Sequence, residues 1–149
     1  MRETTLCYIE QNSQYLMLHR VKKEHDPNEG KWIGVGGKLE AGETKEECLI
    51  REVREETGLL LENYEYRAKI YFYSDQYEDE IMYLYTASKY TGEQIECNEG
   101  ELVWIDKSDV MKLNLWEGDR IFLEKLLEDQ REPFELKLYY EGDRLVKHC

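Results

Sequence analysis

Three carboxylates, Glu52, Glu55 and Glu56, are the residues in this chain best suited to chemistry. Spaced i, i+3 and i+4, they fall on one face of any helix that carries them. Like charges at that spacing repel and destabilise the helix, so their grouping implies a cation to set between them. Hard divalent ions such as Mg²⁺ or Mn²⁺ take oxygen ligands, and commonly meet carboxylates where substrate phosphates complete the shell. A second element of the same chemistry lies upstream. Lys31–Gly37 reads KWIGVGG, and its missing side chains let backbone carbonyls and amides approach a ligand or metal directly.

The carboxylates need a rigid helix, and the flanking residues define one. Thr44 followed by Glu47 is a capping box that fixes the start. Gly58 supplies the stop, because it enters the left-handed conformation without side-chain cost. Between these ends Leu49, Val53 and Ile50 form an apolar stripe that docks on a core. Elsewhere, Thr4–Glu10 and Tyr15–Arg20 read as a hairpin around a polar turn, with Leu6 and Tyr8 on one side of the first strand. His25–Gly30 is a loop, marked by Asp26-Pro27. Strands are expected at Tyr64–Tyr73, Glu80–Lys89 and Glu101–Ile105. A short helix is expected over Ser108–Leu113, capped by Ser108. A longer one covers Gly118–Asp129, with Ile121, Phe122, Lys125 and Leu126 at helical spacing. Phe134–Tyr140 and Arg144–Lys147 close the chain as a hairpin. This order implies an α/β protein, a mixed sheet between helices.

With 149 residues and no linker, repeat or low-complexity tract, residues 1–149 are expected to form one domain. No apolar run spans a bilayer and no signal-peptide pattern opens the chain, so a cytoplasmic protein is expected. Cys7, Cys48, Cys97 and Cys149 lack paired spacing and read as reduced thiols. A net charge of −13 opposes nucleic-acid polymers and anionic membranes. Small phosphorylated ligands escape that objection if metal ions neutralise them locally and a few cations point inward. Arg20, Lys22, Lys23, Lys38 and Arg51 are the candidates.

The segment Gly37–Leu59, GKLEAGETKEECLIREVREETGL, resembles the signature box of the Nudix hydrolases. Every defined position of the box is present: Gly37, Glu43, Arg51, Glu52, Val53, Glu55, Glu56, Gly58 and Leu59. The resemblance implies an α/β/α sandwich with a mixed sheet, and hydrolysis of a nucleoside diphosphate linked to a further moiety. It implies that Glu52, Glu55 and Glu56 hold Mg²⁺ or Mn²⁺ together with a carbonyl of Gly36 or Gly37. Arg51 then braces Glu43 or another box carboxylate, and Glu43 is an orienting residue. Glu99 sits where many members carry a further acidic ligand or base, and Glu56 is the other candidate base.

Outside the box, KWIGVGGKLEAGE, LVWI at Leu102–Ile105 and LWEGDRIFLEKLL resemble the MutT and animal oxidised-purine nucleoside triphosphatases. That likeness puts Trp116 and Asp119 against a purine, and of the candidate cations Arg20 and Lys38 are expected to bind substrate. Two positions depart from it. Ile33 stands where the animal enzymes carry a base-contacting Asn, and Gly118 replaces the first of two acidic residues after the Trp. ADP-ribose hydrolases usually show a Pro about fifteen residues after the box, and none stands between Pro27 and Pro133. Tyr77 lies near a position that marks dinucleoside polyphosphate hydrolases. The resemblance therefore implies Mg²⁺-dependent cleavage of a purine nucleoside triphosphate to monophosphate and pyrophosphate. The alternatives are another nucleotide derivative or a nucleotide-sensing module without turnover. Either a monomer or a homodimer is compatible with it.

Overall fold

The computed structural model describes all 149 residues. Strand β1 (Arg2–Gln11) turns into β2 (Gln14–His19), followed by β3 (Trp32–Ile33) and β4 (Val35–Lys38). Helix α1 (Lys45–Thr57) leads to β5 (Leu60–Leu61), β6 (Glu65–Ser74), β7 (Glu80–Ala87) and β8 (Tyr90–Thr91). Then come β9 (Glu101–Asp106), a 3₁₀ turn (Val110–Lys112), α2 (Glu117–Leu127), β10 (Phe134–Glu141) and β11 (Arg144–His148). Nine strands form one mixed, curled sheet in the order β11-β10-β6-β7-β1-β2-β3, with β4 also on β1 and β9 on β2. Strands β5 and β8 pair separately. No helix is long and apolar enough to cross a membrane.

The α/β/α layering follows from which strand faces are apolar. Cys7 and Ile9 of β1 join Leu16, Leu18 and Val35 beneath Leu49 and Val53 of α1. Leu6 and Tyr8, pointing the other way, join Ile70, Leu84, Leu136 and Leu138 beneath Phe122, Leu123 and Leu126 of α2. Each fully buried Leu or Phe among these stabilises the fold by roughly 1.5–3 kcal/mol. Strand β1 is thus buried on both faces, as befits a strand paired in parallel with β7 and antiparallel with β4. Its hairpin with β2 holds only at Glu10–Tyr15 and Gln11–Gln14, because its N-terminal part belongs to the larger half of the sheet.

Helix α1 is pinned as its sequence implies. Glu47 N donates to Thr44 Oγ1 at 3.1 Å, and Thr44 N donates to Glu47 Oε1 at 2.9 Å. Gly58 closes the helix at φ 80°. The segment expected as a helix over Ser108–Leu113 is a single 3₁₀ turn at Val110–Lys112, preceded by Asp109 and without a side-chain cap from Ser108. In α2 the buried stripe is Phe122, Leu123 and Leu126, whereas Lys125 lies over the ring of Phe134 at 5.5 Å. All four cysteines are free, and Cys97 is buried with Cys7 and Cys48.

Candidate active site

A cleft of about 540 Å³ runs between α1, β4, the 20–31 loop and α2. At one end α1 presses its acidic face on the glycine strand β4. Gly36 N donates to Glu56 Oε2 at 3.0 Å. A Cβ on Gly37 would stand 2.5 Å from Glu52 Oε2, so only glycine leaves that carboxylate its seat. Glu56 is buried, at 8% exposure. Burial pushes its carboxyl well above the usual carboxylate range, and hydrogen bonding and charge from neighbouring Glu99 push it the same way. Burial also raises Glu52, against the opposing pull of Arg51. The buried Glu56, the half-buried Glu52 and Glu99 beside them form an arrangement that favours either a proton or a cation.

Arg51 organises the acids on the outer side of α1 and reaches Glu52 at the edge of the cleft. Its guanidinium grips Glu43 twice, Nε to Oε2 at 2.6 Å and Nη2 to Oε1 at 2.9 Å. Nη1 reaches Glu52 at 2.7 Å and Glu55 at 3.2 Å, and Nη2 donates to the Lys38 carbonyl at 3.1 Å. Hydrogen bonding to Arg51 holds the Glu43 carboxyl down at about 2. Glu55 is exposed and does not line the cleft. The acidic side chains are not drawn together into a ready-made cage of three or more metal-ligating groups. The donor set still suits a hard divalent ion: carboxylate oxygens and glycine backbone, with one carboxyl buried against like charge.

At the other end the cleft is aromatic and apolar. Trp116 stands just before α2, edge-on to Tyr140 with centroids 5.7 Å apart, and Lys31 Nζ lies 5.0 Å from its ring centroid. Asp119 is buried beside them, raised to about 7 by burial and then by the charge of Glu80. The Tyr8 hydroxyl, buried without a hydrogen-bond partner, lies in the field of Asp119. Gly118 N donates to the Tyr140 hydroxyl at 2.7 Å. A Cβ on Gly118 would stand 2.6 Å from both that hydroxyl and Leu138 Cδ1. Ile33 lines the cleft without offering a hydrogen bond.

Against this geometry stand the likenesses to known proteins. The family model for the NUDIX domain matches residues 1–126. The chain belongs to the Nudix family. An uncharacterised Nudix hydrolase of Bacillus subtilis, YvcI, is 31% identical over 135 residues, 87% of this chain and 82% of its own length. An oxidized purine nucleoside triphosphate hydrolase of Danio rerio is also 31% identical, over 121 residues that span 80% of this chain and 76% of that one. The crystal structure of a MutT protein from Bacillus halodurans superposes with a TM-score of 0.89 at 26% identity, covering 100% of this chain and 97% of the other. The Nudix hydrolase fold of this chain is therefore of the MutT kind.

Within this Nudix domain the cleft brings together Arg20, Ile33, Gly36, Gly37, Lys38, Glu52, Glu56, Glu99, Trp116 and Asp119. Of the site residues read from the sequence, Glu55 and Arg51 lie on the outer side of α1 instead. Arg20 is engaged by Asp26 and Glu99, and Lys22 Nζ donates to the Cys97 carbonyl at 3.1 Å. Sequence reasoning missed Asp26, Asn28, Glu80 and Tyr140 as cleft residues. Tyr140 was reachable, since it continues the inward alternation of Leu136 and Leu138. Asn28 carries no local signal, because its partner, Trp116, is 88 residues away.

Proposed function

We propose that the protein is a divalent-metal-dependent nucleotide pyrophosphohydrolase that cleaves a purine nucleoside triphosphate to the monophosphate and pyrophosphate. The observation that carries this reading is one cleft with buried carboxylates at one end and Trp116 with a buried Asp119 at the other. The name of the Danio rerio relative and the MutT neighbour support the triphosphate class.

Glu52, Glu56 and Glu99, with a carbonyl of Gly36 or Gly37 and Glu55 from the rim, would hold Mg²⁺ or Mn²⁺. Such ions lower the pKa of water and screen the charge that grows on a leaving phosphate. The residues do the remaining work. Gly36 N–H fixes the Glu56 carboxylate, and the Glu56–Glu99 pair accepts the proton of the attacking water as a unit. Arg51 holds Glu52 and Glu55 in register with Glu43 and acts as a positioning residue. Arg20 would be a positioning residue too, whereas Lys38 and Lys23, which line the cleft, would face the phosphates. Trp116 offers an indole surface to the base and Asp119 a carboxyl to its edge. With Ile33 in place of an amide, oxidised and ordinary purines differ less than in the animal enzymes.

A panel of purine and pyrimidine triphosphates, ADP-ribose and dinucleoside polyphosphates with Mg²⁺ tests the reading. Release of pyrophosphate from a purine triphosphate is expected, and no phosphate product from any substrate would overturn it. Glu56→Gln should abolish turnover and leave the fold intact. A dinucleoside polyphosphate is the second reading, because Tyr77 stands 46% exposed on the rim of the same cleft.

A further inference from the structure

A single line of polar contacts, side chain to side chain except at the Asn28 backbone N–H, crosses the cleft wall from its acidic end to its aromatic end. Arg20 Nη1 meets Glu99 Oε2 at 3.2 Å. The same guanidinium donates from Nε to Asp26 Oδ2 at 2.7 Å. Asp26 Oδ1 accepts the backbone N–H of Asn28 at 3.1 Å. Asn28 Oδ1 in turn accepts the indole N–H of Trp116 at 2.7 Å. The loop that carries these residues is closed at its base, with Arg20 N to Lys31 O at 2.9 Å and Gly30 N to Arg20 O at 2.8 Å. On the other side Gly100 lies against the His19 carbonyl with no room for a Cβ, so the Glu99 backbone is held to the same strand.

The central pair is almost out of water: the Arg20 side chain is 11% exposed and that of Asp26 2%. A buried ion pair is a weak source of stability, because desolvation offsets its attraction. Its other use is geometric. A guanidinium is a rigid fork, and one whose Nε is fixed by Asp26 can present Nη1 in only one direction. That direction is toward Glu99.

We propose that Asp26 and Asn28 are positioning residues that join the seat of the base to the orientation of Glu99. Trp116 holds Asn28, the Asn28 amide and Asp26 hold one another, Asp26 sets Arg20, and Arg20 aims the Glu99 carboxylate. Seating of a base against the indole is thereby felt at Glu99, one of the residues that would hold the metal. The inference rests on the reading of Glu99 as part of the catalytic set.

A double-mutant cycle on the full chain tests it, with Mn²⁺ affinity by electron paramagnetic resonance and steady-state kcat and KM as separate readouts. Asp26→Asn keeps the acceptor for the Asn28 amide but places an N–H₂ group toward Arg20. It should weaken Mn²⁺ binding and lower kcat, each by about tenfold, with KM changed less than twofold. In a Glu99→Gln background the same substitution should change neither quantity. A loss that persists undiminished in that background, or no loss in the parent, overturns the proposal. Trp116→Phe keeps the aromatic surface and removes the N–H, so it should reproduce the kcat loss of Asn28→Ala and add nothing to it. A change in KM alone overturns the indole link. If the parent chain hydrolyses no nucleotide, the proposed reaction fails, while the Mn²⁺ cycle still reads the positioning line.

Discussion

Arg51 grips Glu43 with two parallel hydrogen bonds, Nε to Oε2 and Nη2 to Oε1, and uses its remaining nitrogen on Glu52 and Glu55. One planar cation thus holds three carboxylates that would otherwise repel. Lysine has the charge without the fork. Arg51→Lys should lower kcat by about ten- to a hundredfold and leave the far-ultraviolet circular dichroism spectrum unchanged. Unaltered kcat would remove Arg51 from the positioning scheme. The depressed Glu43 carboxyl sets the pH window: its contribution is complete above the ordinary carboxylate pKa and is lost as pH falls toward about 2. Glu43→Gln should narrow the difference in melting temperature between pH 7 and pH 3.

Asp119 titrates in the opposite sense. Its carboxyl is raised to about 7 by burial, so the folded state binds its proton more tightly than the unfolded chain does. The stability linked to that proton is complete below the ordinary carboxylate pKa and is lost as pH climbs through 7. Asp119→Asn should therefore melt several degrees above the parent at pH 8 and close to it at pH 4. Equal shifts at both pH values would mean that Asp119 is ionised throughout.

The two glycines of β4 should respond differently to a methyl group. At Gly36 a Cβ collides with the Thr5 backbone carbonyl of β1, which the sheet cannot move. At Gly37 it meets only the carboxylate end of Glu52. Gly36→Ala should unfold the domain, or cost more than about 3 kcal/mol, in urea titration. Gly37→Ala should fold, yet lose Mn²⁺ affinity as Glu52 is displaced.

Binding of a divalent ion should release protons near neutral pH, because Glu56 holds a proton above the usual carboxylate range. Calorimetry of Mn²⁺ binding in buffers of different ionisation enthalpy measures that release. Glu56→Gln should reduce it, and no change would assign the proton to another group.

Local chemistry was legible in the sequence wherever spacing alone determines it. The capping box at Thr44 and Glu47 and the stop at Gly58 lie at the two ends of one helix, while the bracing of Glu43 or another box carboxylate by Arg51 came from the family resemblance. The two-sided burial of β1 was not legible: alternation put Leu6 and Tyr8 on one inward side, whereas Cys7 and Ile9 are buried on the other beneath α1. What spacing cannot give is which way each carboxylate of a shared face turns once a partner competes for it. Glu55 shares the face of Glu52 and Glu56, but Arg51 draws it outward. Nor can spacing register contacts such as Asn28–Trp116 or Gly118–Tyr140, which exist only after strands distant in sequence have paired.

Tyr140 lies beyond residue 126, where the match to the family model ends, yet its hydroxyl fills the place beside Gly118. Of the aromatic end of the cleft, Trp116 and Asp119 lie inside the matched residues and Tyr140 outside them. A change at Tyr140 alone would therefore reshape the aromatic end of the cleft through Gly118, while α1 and β4 at the acidic end keep their own contacts.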